Sequence, residues 1–203
     1  MKSPAEARQA ILSAAEELFA RYGFKKTSID DIARIAGIGK GSVYLHFVSK
    51  EELFAEFMRR ISERMLVTLN TAVKRAQTPE GKLRAFIDTK LHAVAALALE
   101  YNSRDDAIIE LLPLAASHRQ VHYAREQALL VQLLRDGVAG GAFVVERPER
   151  LATGIMSWLE TFDAIAARRR EDPEIRAGVD EFVALVLRGL APRSSTKNGA
   201  GRS

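Results

Sequence analysis

The stretch TSIDDIARIAGIGKGSVYLHFVSK, which runs from Thr27 to Lys50, predicts two short helices joined by a tight turn. Thr27 and Ser28 belong to the residue types that cap helix amino termini, so the first helix is expected to begin near Ile29. Gly37 follows its last turn and is expected to end it. The apolar residues that recur at helical spacing, and form its predicted buried face, are Ile29, Ile32, Ala33 and Ala36.

The second helix of this stretch is expected to begin near Lys40. Val43 and Phe47 lie four residues apart, so they share one face, which we expect to be buried. Gly37 and Gly39 lie in the turn between the two helices. Two short helices with inward apolar faces and a glycine-containing turn are the pattern of a helix-turn-helix.

The outer surface of the second helix carries residue types that suit DNA recognition. Hydroxyl and imidazole groups bind phosphates or base edges, and a glycine lets the backbone approach DNA closely. With Val43 and Phe47 turned inward, the outward and flanking residues are Lys40, Gly41, Ser42, Tyr44, Leu45 and His46. This surface favours a function in nucleic-acid binding.

Lys50 has an unusual place for a basic residue. Ser49 and Glu52 have the spacing of a capping box, which puts Lys50 at the first position of the next helix. The helix dipole disfavours a cation at that end. A DNA phosphate there would accept both the lysine and the free backbone N–H groups, so we expect Lys50 to contact the DNA backbone.

At these residues the chain resembles the TetR family of one-component transcriptional regulators. The resemblance covers Ala5 to about Phe57 strongly, and the remainder only in helical layout. The residues that carry it are Ile32, Ala33, Ala36, Gly37, Ser42, Tyr44, Leu45, His46, Phe47, Ser49, Lys50 and Leu53. It implies binding to double-stranded operator DNA. The predicted DNA-binding residues are Thr27, Ser28, Lys40, Gly41, Ser42, Tyr44, Leu45, His46 and Lys50.

Asp30 departs from this resemblance, because some family members carry a basic or polar base-reading residue on this surface. A carboxylate there would repel DNA phosphates. Asp30 and Asp31 place acidic groups in the first turn of the helix, where the dipole favours them. We therefore interpret Asp30 as part of the amino-terminal cap.

The composition is that of a folded protein with a sizeable core, since 47% of the 203 residues are hydrophobic. The chain has no cysteine, which excludes disulfides, thiolate metal sites and cysteine nucleophiles. Neither a signal peptide nor a membrane-spanning stretch is recognisable, so we expect a cytoplasmic protein without a membrane partner. Residues 1–50 hold eight basic and five acidic side chains, which is +3 of the formal net charge of +4. This modest basic excess fits a DNA-binding segment.

The predicted fold class is all-α, because every strong pattern in the chain is helical. Ser3, Pro4 and Glu6 open a first helix that is expected to end at Gly23. Proline followed by glutamate marks three later helix starts, at Pro79, Pro148 and Pro173. Between these starts, helices are predicted at about 80–101, 104–117 and 119–138, with a brief extended piece without a partner at 143–145.

The helix after Ser49 carries an apolar stripe to about Gln77 and is expected to belong to both halves of the molecule. The predicted domains are a helix-turn-helix domain at residues 1–50, an effector-binding and dimerisation domain at 51–191, and a disordered tail at 192–203.

The last two helices, at about 148–170 and 173–190, carry the broadest apolar stripes. These stripes fit an intramolecular core, or a four-helix interface made of two helices from each subunit of a homodimer. The family layout favours the homodimer. Two recognition helices on a twofold axis would read a palindrome with half-sites ~34 Å, or a multiple of that, apart.

Any pocket for an unknown small-molecule effector has to lie within residues 80–170. Such a pocket needs an apolar lining with a few polar groups. The predicted effector-binding residues, each of which also fits plain core packing, are His92, Tyr101, His118, His122, Tyr123, Trp158 and Phe162. His118, His122 and Glu126 also have zinc-ligand spacing on one helix face, but no second ligand cluster accompanies them, so no metal site or cofactor is predicted.

The function that these observations predict is a homodimeric, ligand-responsive transcriptional regulator, a repressor released from a palindromic operator by its effector. The alternative is a DNA-binding architectural protein without an effector. A thermal-shift screen distinguishes the two, because a saturating effector raises the apparent stability. An enzyme is not predicted, since no carboxylate is placed to orient His46 beside Ser42.

Overall fold

The computed structural model describes residues 2–100, 123–166 and 173–192. These residues form helices joined by short connections, and the described ranges contain no β-strand, which confirms the all-α fold class. The helices are α1 (Pro4–Lys26), α2 (Ile29–Ala36), α3 (Lys40–Tyr44), α4 (Lys50–Arg75), α5 (Pro79–Glu100), α6 (residues 123–139), α7 (Pro148–Ala166) and α8 (Pro173–Leu190). The helix predicted at about 104–117 and the tail from residue 193 onward lie outside the described residues. Of the helices described, none has the length and apolar character to cross a membrane.

The first helix begins with the predicted cap but extends beyond its predicted end. The Glu6 N–H donates to Ser3 Oγ at 3.3 Å, and the Ser3 N–H donates to Glu6 Oε2 at 2.7 Å. Gly23 interrupts α1 with a φ of 77°, a conformation that glycine adopts without strain, and helical structure resumes as far as Lys26. The predicted end at Gly23 is therefore a kink.

The helices α1, α2, α3 and the first turns of α4 share one apolar core. Four phenylalanine rings lie at its centre, with neighbouring centroids 5.1–5.9 Å apart in tilted or edge-on arrangements. Those rings belong to Phe19, Phe24, Phe54 and Phe57. The buried side chains of α2 and α3 close this core, which supports the two short helices that could not bury their apolar faces alone.

A second apolar core is formed by the later turns of α4 together with α5, α6, α7 and α8. Its buried members include Leu69, Leu83, Phe86, Leu130, Leu134, Leu159 and Val183. Along α4, Leu53, Phe54 and Phe57 face the first core, whereas Met65, Leu69 and Val73 face the second. The prediction that this helix belongs to both halves is confirmed by these contacts.

The connection from α6 to α7 is fixed by one aromatic side chain. Phe143 is 2% exposed and packs over Gly137, where an added Cβ would lie 2.1 Å from the ring. The Val144 N–H donates to the Leu190 carbonyl at 2.8 Å, at the end of α8. The segment expected to be extended and unpaired thus has a partner, although it is not a strand.

Candidate nucleic-acid interface

The helix α2 is capped by Ser28, as predicted. The Asp31 N–H donates to Ser28 Oγ at 3.1 Å, and the Ser28 hydroxyl donates to Asp31 Oδ2 at 2.6 Å. Hydrogen bonds from Ser28 and then from Arg34 hold the pKa of the Asp31 carboxyl below its usual value. Asp30 lies in the same first turn, as predicted, but the acid that exchanges hydrogen bonds with Ser28 is Asp31.

The turn between α2 and α3 depends on Gly37. This residue has φ 66° and ψ 41°, the left-handed conformation, and its N–H donates to the carbonyl of Arg34 at 3.2 Å. The Lys2 Nζ donates to the Ala36 carbonyl at 2.6 Å, so the amino-terminal arm satisfies a further carbonyl at the end of α2. These bonds fix the direction in which the chain enters α3.

The helix α3 is anchored on one side and open on the other. Val43 and Phe47 are 0% and 2% exposed, and the Arg8 guanidinium lies 4.9 Å from the centre of the Phe47 ring. On the other side Tyr44 is 49% exposed and Leu45 is 84% exposed. The predicted outward residues therefore remain accessible on either side of the buried Val43. We call them the α3 surface, which consists of Lys40, Gly41, Ser42, Tyr44, Leu45 and His46.

The α3 surface has features that suit contact with another molecule. Ser42 and His46 are half-buried, so each retains access to solvent. An added Cβ at Gly41 would meet nothing within 4 Å, which means that the protein itself does not require glycine there. The two hydroxyl groups and the imidazole can bind base edges or phosphates. The exposed leucine can make apolar contact with a base, and the glycine lets the backbone come close to DNA.

Lys40, at the start of α3, is joined to α2 by an ion pair. Its Nζ lies 2.9 Å from Asp30 Oδ2, and the two side chains are 53% and 65% exposed. The hydrogen bond and charge of Asp30 raise the pKa of Lys40. Both partners therefore belong to the exposed edge where α2 and α3 meet.

Thr27 occupies a different place from the rest of the predicted DNA-binding set. It is 2% exposed, and its hydroxyl donates to the Gly23 carbonyl at 2.7 Å. This bond closes the kinked end of α1. The hydroxyl is thus engaged inside the protein, and the prediction that it faces DNA is not supported by the geometry.

Lys50 is also engaged within the protein. Its Nζ donates to the carbonyls of Phe24 and Thr27, each at 3.0 Å, and lies 4.3 Å from the centre of the Phe24 ring. The predicted cap at this helix start is present, because the Glu52 N–H donates to Ser49 Oγ at 3.2 Å. The cation at the amino terminus of α4 is therefore stabilised within the protein by two carbonyls and a ring, whereas the sequence pattern predicts a DNA phosphate there.

The predicted effector-binding residues are only partly described. His92 is exposed, and its Nδ1 lies 2.7 Å from the Asp88 carbonyl oxygen. Tyr123 and Trp158 are half-buried against the second core, and the Trp158 ring stacks on Phe182 at 4.3 Å. Tyr101, His118 and His122 lie outside the described residues, and Phe162 is placed only as a backbone position of α7.

Glu126, whose spacing from His118 and His122 fits a third zinc ligand, has another partner. Its Oε2 accepts a hydrogen bond from Lys90 Nζ at 2.7 Å, and the two side chains are only 8% and 13% exposed. This ion pair connects α6 to α5 inside the carboxy-terminal half. Within the described residues, no group of three or more histidine, aspartate or glutamate side chains is arranged to hold a metal ion.

Comparison with known proteins identifies the family of this chain. Residues 11–57 match the family model described as bacterial regulatory proteins of the tetR family. The HTH-type transcriptional repressor KstR2 of Rhodococcus jostii is 34% identical over 196 residues, which cover 91% of each chain. The chain belongs to the TetR family. KstR2 of Mycolicibacterium smegmatis is 29% identical over 199 residues, which cover 96% of each chain.

Solved structures show the same TetR-family fold. The fatty acid degradation regulator FadR from Bacillus halodurans matches with a TM-score of 0.69 and 24% identity, over 92% of this chain and 96% of its own. A tetR-family regulatory protein from Rhodococcus RHA1 matches with a TM-score of 0.62 and 21% identity, over 93% of this chain and 98% of its own. The sequence comparisons, which show the family, make the protein a DNA-binding transcriptional regulator of the ligand-responsive TetR type.

Two polar pairs of this TetR-family chain were not foreseen from its sequence. Lys40 was assigned to DNA and Asp30 to the cap, and nothing in the local pattern indicates that they meet across ten positions. Lys90 and Glu126 are separated by 36 positions. For Lys90 and Glu126 the sequence signal is a charged residue on an otherwise apolar helix face, which indicates that a partner exists without naming it.

Proposed function

We propose that this TetR-family regulator is a repressor that binds a palindromic operator as a homodimer and is released when a small-molecule effector binds its carboxy-terminal half. The observation that carries the proposal is the α3 surface, which is held outward by the buried Val43 and Phe47. The proposed DNA-contacting residues are those of the α3 surface and Ser28. Thr27 and Lys50 are proposed to position the helix-turn-helix instead, through the bonds that they make within the protein.

Gly41→Ala tests whether the backbone of α3 approaches DNA closely. The added methyl group meets open space in the free protein, and alanine favours the helix by about 0.5–1 kcal/mol, so the melting temperature should not fall. The methyl group would separate α3 from the duplex, and operator affinity should drop by roughly tenfold, the equivalent of about 1.4 kcal/mol. Fluorescence anisotropy with a duplex selected from a random pool measures the affinity. Unchanged affinity in a fully folded variant would contradict the assignment of α3.

The proposed dimer forms through α7 and α8. Leu185 on α8 is 61% exposed, and the stacked Trp158 and Phe182 connect the two helices nearby. A four-helix interface between subunits would cover such an apolar face, and a twofold dimer would present two copies of α3 to one side of a duplex.

Leu185→Glu is therefore expected to shift the protein from dimer to monomer at micromolar concentration, since it buries a charge at the centre of the proposed interface. Sedimentation velocity measures the mass. Val67→Glu is the matched control, because Val67 is 66% exposed on α4, outside the proposed interface. A dimer that persists in Leu185→Glu, or dissociates equally in both variants, would contradict the interface.

The proposed domains are residues 1–50, which read DNA, and residues 51–191, which bind effector and partner subunit, and the first turns of α4 complete the core of the first domain. The helix α4 contacts both cores, so a change in the second core on effector binding can alter the position of the first. A thermal-shift screen of small molecules, followed by DNA binding with each molecule that raises the melting temperature, tests this coupling.

A further inference from the structure

The ion pair between Asp30 and Lys40 is the feature of the α2–α3 edge that DNA binding alone does not explain. A protein surface that faces phosphates gains affinity from each free cation and loses it from each carboxylate. Asp30 nevertheless lies ten positions before Lys40 in the chain and holds its Nζ at 2.9 Å. The carboxylate is thereby paired with Lys40, which is the only lysine or arginine among the residues of the α3 surface.

The cap of α2 does not require this carboxylate. Ser28 exchanges hydrogen bonds with Asp31, at 3.1 and 2.6 Å, and Asp31 also binds Arg34 at 2.8 Å. One acid in the first turn already interacts favourably with the helix dipole. The position of Asp30 beside Lys40 therefore calls for an explanation at the surface itself.

We propose that Asp30 is a specificity-determining residue, which occupies Lys40 and thereby weakens binding to DNA of random sequence. Binding to random DNA depends on charge, whereas binding to an operator also uses base contacts. A lysine held by a carboxylate contributes little to binding of random DNA. The polar groups of Ser42, Tyr44 and His46 remain available for base contacts at the operator. Asp30 thus increases the ratio of operator affinity to random affinity without touching a base.

This inference rests on the proposed function, because it requires α3 to be the DNA-facing helix. The test variant is Asp30→Asn, which keeps the size of the side chain and removes its charge. Affinity for a selected duplex and for a scrambled duplex of the same composition is measured between 50 and 200 mM salt. We expect about a three- to tenfold gain on the scrambled duplex, a smaller gain on the selected one, and a steeper salt dependence by about one unit per protomer.

Two further variants distinguish the effect of breaking the ion pair from the effect of removing one negative charge. Asp31→Asn makes the same change of charge one position along and releases Arg34, which is not part of the α3 surface, so it should give a smaller gain. In a Lys40→Gln background, Asp30→Asn should lose its advantage over Asp31→Asn, because no lysine remains to be released. Melting temperatures verify that each variant is folded, and Lys40→Gln probes the pair from its other side if Asp30→Asn is not.

Equal gains for Asp30→Asn and Asp31→Asn, or an advantage of Asp30→Asn over Asp31→Asn that survives in the Lys40→Gln background, would overturn the inference. The inference would also be overturned if Asp30→Asn left the ratio of the affinities for the selected and scrambled duplexes unchanged. If the wild-type protein selects no preferred duplex at all, the proposed function fails instead, so the two failures are distinguishable.

Discussion

Replacement of Phe54 by alanine is expected to lower the free energy of unfolding by about 3–5 kcal/mol and to abolish DNA binding. The Phe54 ring is 2% exposed and lies 5.4, 5.1 and 5.8 Å from the rings of Phe19, Phe24 and Phe57. Its removal leaves a cavity at the centre of the first core, where α1 and α4 support the helix-turn-helix. Chemical denaturation monitored by circular dichroism measures the loss.

Val48→Ala is the control for Phe54→Ala. Val48 is 84% exposed and lies six positions earlier in the chain, so its truncation should change the unfolding free energy by less than about 0.5 kcal/mol. A loss below about 1 kcal/mol for Phe54→Ala, with DNA binding retained, would show that the aromatic cluster does not hold the two short helices in place.

The second large effect is expected at the buried pair of Lys90 and Glu126. Glu126→Leu leaves the Lys90 ammonium without its partner among apolar side chains and should cost about 3 kcal/mol of stability. This is the lower end of the usual 3–5 kcal/mol for such a loss, because the Lys90 side chain keeps 13% exposure and can partly reach water. Denaturation curves of the single variants and of the double variant Lys90→Met, Glu126→Leu give a double-mutant cycle, which measures the interaction free energy of the pair.

The double variant should be close to the wild type in stability, because it removes both charges and fills the space with apolar groups. The exposed pair of Arg135 and Glu149 supplies the comparison, since its side chains are 57% and 54% exposed and Glu149→Gln should cost less than about 1 kcal/mol. A double variant as unstable as Glu126→Leu would mean that the pair is needed for more than mutual neutralisation.

The helix-turn-helix was predictable because its signals are local. Ser28 caps the helix that follows it, Gly37 takes the left-handed conformation that ends that helix, and the spacing of Val43 and Phe47 identifies a buried face. Each of these effects acts over at most four positions, which is the range over which periodicity and capping carry information.

The fine structure of the site was not predictable, because it depends on partners that are distant in the chain. Lys50 was assigned to a phosphate from the correct argument that a cation at a helix amino terminus needs compensation. The compensation comes from the carbonyls of Phe24 and Thr27, which are 26 and 23 positions away. Thr27 is predicted to be a cap from its residue type and a DNA contact from the family resemblance, whereas its hydroxyl binds the carbonyl that the kink at Gly23 provides.

Because α4 runs through both cores, its length determines how far a tilt at one end displaces the other end. A helix of 26 residues is about 39 Å long at about 1.5 Å per residue. A rotation of about 5° at its carboxy-terminal end would displace its amino-terminal end by roughly 3 Å, which is about the length of one hydrogen bond. Lys50 fastens that end to the corner between α1 and α2. If effector binding tilts α4 as proposed, a small tilt is therefore enough to shift α3 by about the length of one hydrogen bond to a base edge.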